Sequence, residues 1–330
     1  MKALAASLAI AVLLSIPLNI LVGTVKIPIG DILMPSGIYK VIIFDIRLPE
    51  ALIGVIVGFI LGATGAAFQS VFRNPLVDPF TIGNAGAAVL GALLAYLMIL
   101  MHLLSSSFSL IAMPLFAFIF ALATSLAVSY IGSHGGSLGL ILVGVMFTLL
   151  TSSLIIIVEI LISELNPSAI VQPLYVLYGD LNGVTWSTVF IITIASIIPL
   201  LALISYGRRL DLMLLGDDVV HASGLDPNRT RFIILTLASI PVATAMAFTG
   251  IIGFVGLVAP YVARYVEGRG SHAAVLPMSG IVGALMLSLS NAASRSISNY
   301  VIPITAVTGI VGIPLIVLML YKGAYNVARI

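Results

Sequence analysis

Residues 47–83 read RLPEALIGVIVGFILGATGAAFQSVFRNPLVDPFTIG. No residue between Glu50 and Arg73 carries a charge, and the run exceeds the roughly 20 apolar residues a bilayer-spanning helix needs. Gly54, Gly58, Gly62 and Ala66 recur four apart and so share one helix face. A ladder of small residues lets a neighbouring backbone approach closely. Gly280 with Ala284, and Ala87 with Gly91, repeat the device. The pattern predicts a dense helical bundle. Pro75 and Pro79 then end the helix, because proline lacks a backbone donor. Asn74 and Asp78 are placed to satisfy the freed amides, and Gly83 and Gly86 open the next helix.

The rest of the chain has the same character. Of 330 residues, 61% are hydrophobic and 8% charged, with a mean hydropathy of +1.24. Soluble domains carry about 25% charge, so neither a water-soluble enzyme nor a disordered chain fits. The net charge of +2 argues against nucleic acid as a partner. With no cysteine, disulfides, thiol chemistry and Cys-ligated metals are excluded.

Ten segments read as membrane spans: 4–22, 50–71, 82–101, 110–131, 138–162, 186–206, 232–250, 251–266, 273–294 and 309–328. The boundary between the seventh and eighth is crowded by Gly250, Gly253 and Gly256. The first segment reads as a retained helix, since no small-x-small cleavage site follows it. With both termini inside, Lys2, Arg73, Arg208, Arg209, Arg229, Arg231, Arg264, Arg269, Lys322 and Arg329 are cytoplasmic. Lys26, Lys40, Arg47 and Arg295 are outside. This asymmetry obeys the positive-inside rule. No polar linker divides the chain, so 1–330 is one transmembrane domain.

No G-x-x-x-x-G-K-[ST] motif is present, so the chain has no P-loop for ATP. His102, His134, His221 and His272 are scattered, none at ligand spacing from a carboxylate, and read as solvated or packing residues. Glu159 is the best-placed intramembrane acid and reads as interfacial. A polytopic chain without an energy source of its own suggests a permease driven by another subunit.

The longest inner loop, about 207–231, contains Leu215-Gly-Asp-Asp and Ala222-Ser-Gly-Leu-Asp-Pro. Asp217 and Asp218 follow Gly216 as acids at a helix start. Gly224 suits a left-handed corner, and Asp226-Pro227 a second helix start. Two short helices with a glycine corner would form a rigid knob able to dock in a partner's groove.

Several motifs, in order, resemble the FecCD-type permeases, the membrane subunits of ATP-binding-cassette importers for iron-siderophores, haem and cobalamin. They are Arg47-Leu-Pro, Arg73-Asn-Pro-Leu-x-Asp-Pro, Tyr178-Gly-Asp-Leu-x-Gly-x-x-Trp186, Leu215-Gly-Asp-Asp with Ala222-Ser-Gly, Gly253-Phe-Val-Gly-Leu-Val-Ala-Pro260 and Thr308-Gly-Ile-Val-Gly-Ile-Pro314. The resemblance runs from about residue 40 to the C-terminus. It implies an all-α polytopic fold of ten helices, a homodimer, two cytoplasmic ATPase subunits, an extracytoplasmic binding protein and a prokaryotic inner membrane. No catalytic residue, metal or cofactor is expected in this chain; ATP and Mg would be bound by the partner.

By the same resemblance, coupling to the ATPase falls on Leu215, Gly216, Asp217, Asp218, Ala222, Ser223, Gly224, Leu225 and Asp226. The family's pathway follows the dimer axis along the fifth and tenth helices, here 138–162 and 309–328. Thr148, Thr151 and Ser152 are candidates to line it, although such hydroxyls can equally bond their own helix. Arg47 and Arg295 match outer arginines that meet acids on the binding protein in the cobalamin permeases. Glu50 departs from that pattern, standing where a second arginine is expected, which implies weaker or differently paired docking. The alternatives are an ion-gradient-coupled transporter using Glu159, and a non-transporting scaffold, which should tolerate changes at Gly224.

Overall fold

The computed structural model describes residues 2–23, 25–28, 35–80, 83–105, 108–166, 179–267, 270–296 and 302–321. These form helices joined by turns: α1 (Lys2–Leu21), α2 (Gly37–Val41), α3 (Leu48–Phe72), α4 (Asn84–Leu100), α5 (Ser109–Ser133), α6 (Gly136–Leu165), α7 (Trp186–Ser205), α8 (Gly207–Leu215), α9 (Asp217–Ala222), α10 (Pro227–Thr249), α11 (Val255–Glu267), α12 (His272–Ser294) and α13 (Ile304–Tyr321). Each expected span falls on a helix. Among the described residues, seven helical stretches are long and apolar enough to cross a bilayer, and α4 and α13 are shorter apolar helices. Tyr178, Thr81, Ile82 and the expected span beyond residue 321 lie outside the described residues.

The glycine-laddered helix α3 is the centre of the bundle, buried along almost its whole length. It packs against α12, α11 and α10. A Cβ on Gly58 would lie 2.7 Å from Ala284 Cα, and one on Gly62 would lie 2.8 Å from the Ser279 carbonyl carbon. Gly65 approaches Gly256 of α11 in the same way. The small residues therefore do what the sequence predicts: they bring backbones into contact, a packing device suited to helices whose flanks are already apolar. On α1, α6 and α7, large apolar side chains face outward, among them Leu13, Leu14, Met146 and Ile198.

Several boundaries shift by a few residues from the sequence expectation, and two of the differences have a structural origin. The second span begins at Gly37, because a π-helical turn, Ile42–Arg47, joins α2 to α3 without a break. Pro49 lies in the first turn of α3, a position where its missing N–H costs no bond within that helix. The eighth span is helical only from Val255. Gly250 (φ +66°) and Phe254 (φ +69°) take left-handed backbone, and residues 250–253 are not helical. Irregular backbone inside a membrane must have its polar groups satisfied by protein. Here Thr305 Oγ1 donates to Ile251 O at 2.6 Å and Thr308 Oγ1 donates to Gly253 O at 3.0 Å, both from α13.

Candidate functional site

The loop 207–231 contains an arm and a tip. The arm, α8, buries Leu210 and Met213. Gly216, at φ +130°, makes a corner that an L side chain would strain. The tip, α9, follows directly with Asp217 and Asp218 in its first turn, as expected for acids at the positive end of a helix dipole. Gly224 (φ +77°) forms the second corner. Asp226 caps the next helix, its carboxylate accepting from Asn228 N and Arg229 N. That next helix is not a second short one: it is α10, running to Thr249. The short pair is therefore α8 and α9, hinged at Gly216. Leu215, Asp218, Val219, His221, Ala222, Ser223, Gly224 and Asp226 are exposed, whereas Val220 is buried and Leu225 half-buried. An apolar and small-residue tip thus projects from a packed base.

Asp217 fixes that base. Its Oδ1 accepts from Arg231 at 2.7 Å and also pairs with Arg73. Arg231 is fully buried and further donates to Ser133 O at 3.2 Å and Asn228 Oδ1 at 3.1 Å. Arg73 sits at φ +49° just past the end of α3, and its Nε donates to Met213 O at 2.8 Å. Partial burial alone would raise the Asp217 pKa, but hydrogen bonds and charge from Arg231 and Arg73 outweigh it and hold the carboxyl below its ordinary value. The two informative stretches of sequence, the proline turn and the long loop, therefore meet at one carboxylate. In the turn itself, Asn74 Oδ1 accepts from Leu76 N and Asp78 Oδ1 from Phe80 N, both at 3.0 Å, the amide satisfaction expected there.

The reading of all four histidines as unpaired with acids does not hold. His272, the first residue of α12, is buried, and its ring Nδ1 lies 2.5 Å from Asp211 Oδ1. Its backbone N–H donates to the same oxygen at 2.9 Å, and its Nε2 lies 2.5 Å from Ser70 Oγ. Burial pushes the Asp211 carboxyl up, but the His272 bonds dominate and lower it. Asp211 and His272 are 61 residues apart, so no local spacing signals the pair.

At the opposite end of the bundle lie the two arginines expected to face a binding protein. Both are buried, Arg47 at 4% and Arg295 at 5% exposure. Arg295 Nη1 pairs with Glu50 Oε2 at 2.5 Å, and its Nη2 donates to Asn19 Oδ1 at 2.9 Å. Arg47 donates to Ile20 O at 2.7 Å and to Val25 O. Gly183 N–H donates to Glu50 Oε1 at 3.3 Å, which draws in the Gly179–Trp186 motif. Asn19 in turn bonds Ser288 and Asn291. In this geometry the guanidiniums are spent on joining α1, α3 and α12 and offer little surface for docking. The departure at Glu50 was the available signal, since an acid beside Arg295 completes a pair.

The candidate lining residues separate. Thr148 and Ser152 are exposed on α6, with Thr148 Oγ1 donating to Gly144 O at 2.9 Å. Thr151 is buried against Gly86 of α4 and donates to Phe147 O at 2.8 Å. Glu159 is half-buried near the end of α6. Among the described residues, no cluster of acids and histidines could hold a metal ion.

Comparison with known proteins gives the same picture. The model of the FecCD transport family matches residues 8–322. An uncharacterized ABC transporter permease protein, YvrB of Bacillus subtilis, is 31% identical over 93% of this chain and 90% of its own length. The cobalamin import system permease protein BtuC of Halobacterium salinarum is 31% identical over 85% of this chain and 73% of its own. A solved structure of an inward-facing conformation, described as a metal-chelate type ABC transporter, superposes with a TM-score of 0.83 at 27% identity, covering 98% of this chain and all of the other. With the family model matching nearly the whole chain and relatives 31% identical over most of both lengths, the chain belongs to the FecCD transport family.

Proposed function

We propose that this chain is the permease subunit of a binding-protein-dependent ABC importer. It forms a homodimeric pathway for a metal-chelate type cargo such as an iron-siderophore, haem or cobalamin. ATP hydrolysis in separate cytoplasmic subunits drives it. Both termini and the Leu215–Asp226 tip face the cytoplasm, and the Arg295 end faces outward. The observation that carries this reading is the tip: exposed Leu215 and Val219 stand on an arm held by Asp217, Arg73 and Arg231. A rigid, partly apolar projection suits docking into a groove and transmitting force, with no chemistry of its own. Thr148 and Ser152, exposed on α6, are the candidates to line the pathway.

The ion-gradient alternative lacks comparable support. Such transporters use paired intramembrane acids or unwound backbone around an ion. The unwound segment 250–253 gives its Ile251 and Gly253 carbonyls to Thr305 and Thr308.

Gentle detergent purification from the native membrane, followed by mass spectrometry, tests the proposal. An ATP-binding-cassette subunit should be recovered in equal amount. A homodimer that transports without any ATPase sinks the reading and returns attention to Glu159. Gly216→Pro and Gly224→Pro should abolish transport while leaving the helical bundle assembled, because proline cannot adopt φ +130° or +77°. Normal transport by both variants would break the coupling assignment.

A further inference from the structure

We propose that Ser70, His272 and Asp211 are positioning residues that form a transmission joint, passing displacement of the coupling tip into the α3–α12 pair. The inference rests on the reading of Leu215–Asp226 as the ATPase-facing element.

Asp211 lies on the arm, one turn before the exposed tip. It accepts the first backbone N–H of α12, a donor that α12's own cap residue, Ser271, does not reach with its side chain. The arm thus supplies the cap of a helix that belongs to the bundle. The same oxygen meets the His272 ring at Nδ1. An ionised carboxylate only accepts, so Nδ1–H is the donor there. The ring then reaches Ser70 through Nε2, on the last turn of α3. Ser70 is fully enclosed and His272 nearly so. Beside the joint, Gly207 lets the arm touch α12 directly: a Cβ there would lie 2.7 Å from Ala273 N and 2.9 Å from its Cα.

The helices gripped by this joint are the two whose backbones meet at Gly58, Gly62, Ser279 and Gly283. At the far end the same two helices are tied by Glu50 and Arg295. A load on the tip cannot rotate the arm without breaking the paired Asp211 bonds to the enclosed His272, so it displaces α3 and α12 together. Because that pair is closed at both ends, the displacement reaches the opposite side of the membrane as a rigid-body motion. The Asp217 clamp ties the tip to Arg73 and, through Arg231, to α10.

The absence of cysteine allows a clean test. Ile38, 70% exposed at the start of the Gly37–Phe72 rod, is replaced by cysteine and spin-labelled in the complex of the permease with its co-purified ATPase. The distance between the two copies' labels is read before and after ATP hydrolysis in the presence of vanadate, which traps ADP and vanadate in the ATPase, so no cargo need be known. The parent complex should shift on trapping. Asp211→Asn should hydrolyse ATP yet lose the shift, and Ser70→Ala should reduce it. The double variant should be no worse than Asp211→Asn alone, because residues acting as one unit are not additive. Asp211→Glu, which keeps charge and acceptor, should retain part of the shift, which a merely structural cap would not predict. An undiminished shift in Asp211→Asn overturns the joint. If that variant fails to assemble, an undiminished shift in Ser70→Ala overturns it instead. Gly224→Pro separates the two levels: an undiminished shift there defeats the coupling reading itself, whereas a lost shift there with a normal one in Asp211→Asn defeats only the joint.

Discussion

The molecule carries a charged cluster at each end, and the two are built differently. At one end, Arg295 and Glu50 are both about 5% exposed or less and are enclosed by α1, α3 and α12. At the other, Asp217 has a side chain 36% exposed and is bracketed by strained or glycine-borne corners at Arg73, Gly216 and Gly224. A buried ion pair adds little net stability but is costly to break, so it fixes which helices pair. A half-exposed pair on strained backbone holds a surface in position, and strain of that kind gathers where function needs it. The first cluster locks the bundle; the second presents the tip.

The largest effect should follow from breaking the lock. Glu50→Ala strands Arg295 in a buried site, and removing one partner of such a pair costs about 3–5 kcal/mol. Thermal unfolding in detergent, followed by size-exclusion, should show loss of the monodisperse species. A stable Glu50→Ala protein with a changed affinity for its binding protein would reverse the comparison and return Arg295 to docking. Next comes the pair that the lock closes. Gly62→Ala drives a Cβ against the Ser279 carbonyl, and overpacking of this kind costs about 1–3 kcal/mol. The same assay should show a lowered midpoint, whereas Gly183→Ala, whose Cβ meets nothing within 4 Å, would be strained only by its φ of +73°.

What the sequence made legible follows from range. Apolar length placed a helix under each expected span, seven of them long enough to cross a bilayer among the described residues, since it is a property of contiguous residues. The Asn74 and Asp78 amide bonds, the Gly216 corner and the acids of α9 were also readable, because each acts within three residues of itself. Where packing decides, local reading failed. Arg47 and Arg295 looked like surface cations because their partners are distant in the chain, the Ile20 and Val25 carbonyls for Arg47 and Glu50 and Asn19 for Arg295. Lys40, Asp45 and Arg47 hid the early start of the second span, and only the three-dimensional bundle reveals the π turn that carries it. The break at 250–253 is apolar and so resembled helix; its signal was Gly250 and Gly253, and its rescue came from Thr305 and Thr308, more than fifty residues on. Ser70 and His272 are 202 residues apart.

The smallest stability effect should come from the exposed clamp, and that smallness sharpens the contrast. Asp217→Asn keeps the shape and removes the charge. The carboxylate is 36% exposed and screened by solvent, and the buried Arg231 keeps its bonds to Ser133 O and Asn228 Oδ1, so the loss should be about 1 kcal/mol, below that of Glu50→Ala. The pH dependence has a definite sign. Arg231 and Arg73 lower the folded pKa of Asp217 below its unfolded value, so its stabilisation is complete above the unfolded pKa, about 3.9, and fades as pH falls through the folded one. The Asp217 contribution should therefore be flat from neutral pH down to about 5 and lost only in stronger acid. The expected signature is a parent and an Asp217→Asn variant whose unfolding midpoints differ slightly at neutral pH and converge in acid. Transport by the variant should fall far more than its stability, since the clamp aims the tip rather than holding up the bundle. Equal losses of transport and stability would mean that both ends of the molecule are locks, and the distinction between them would fail.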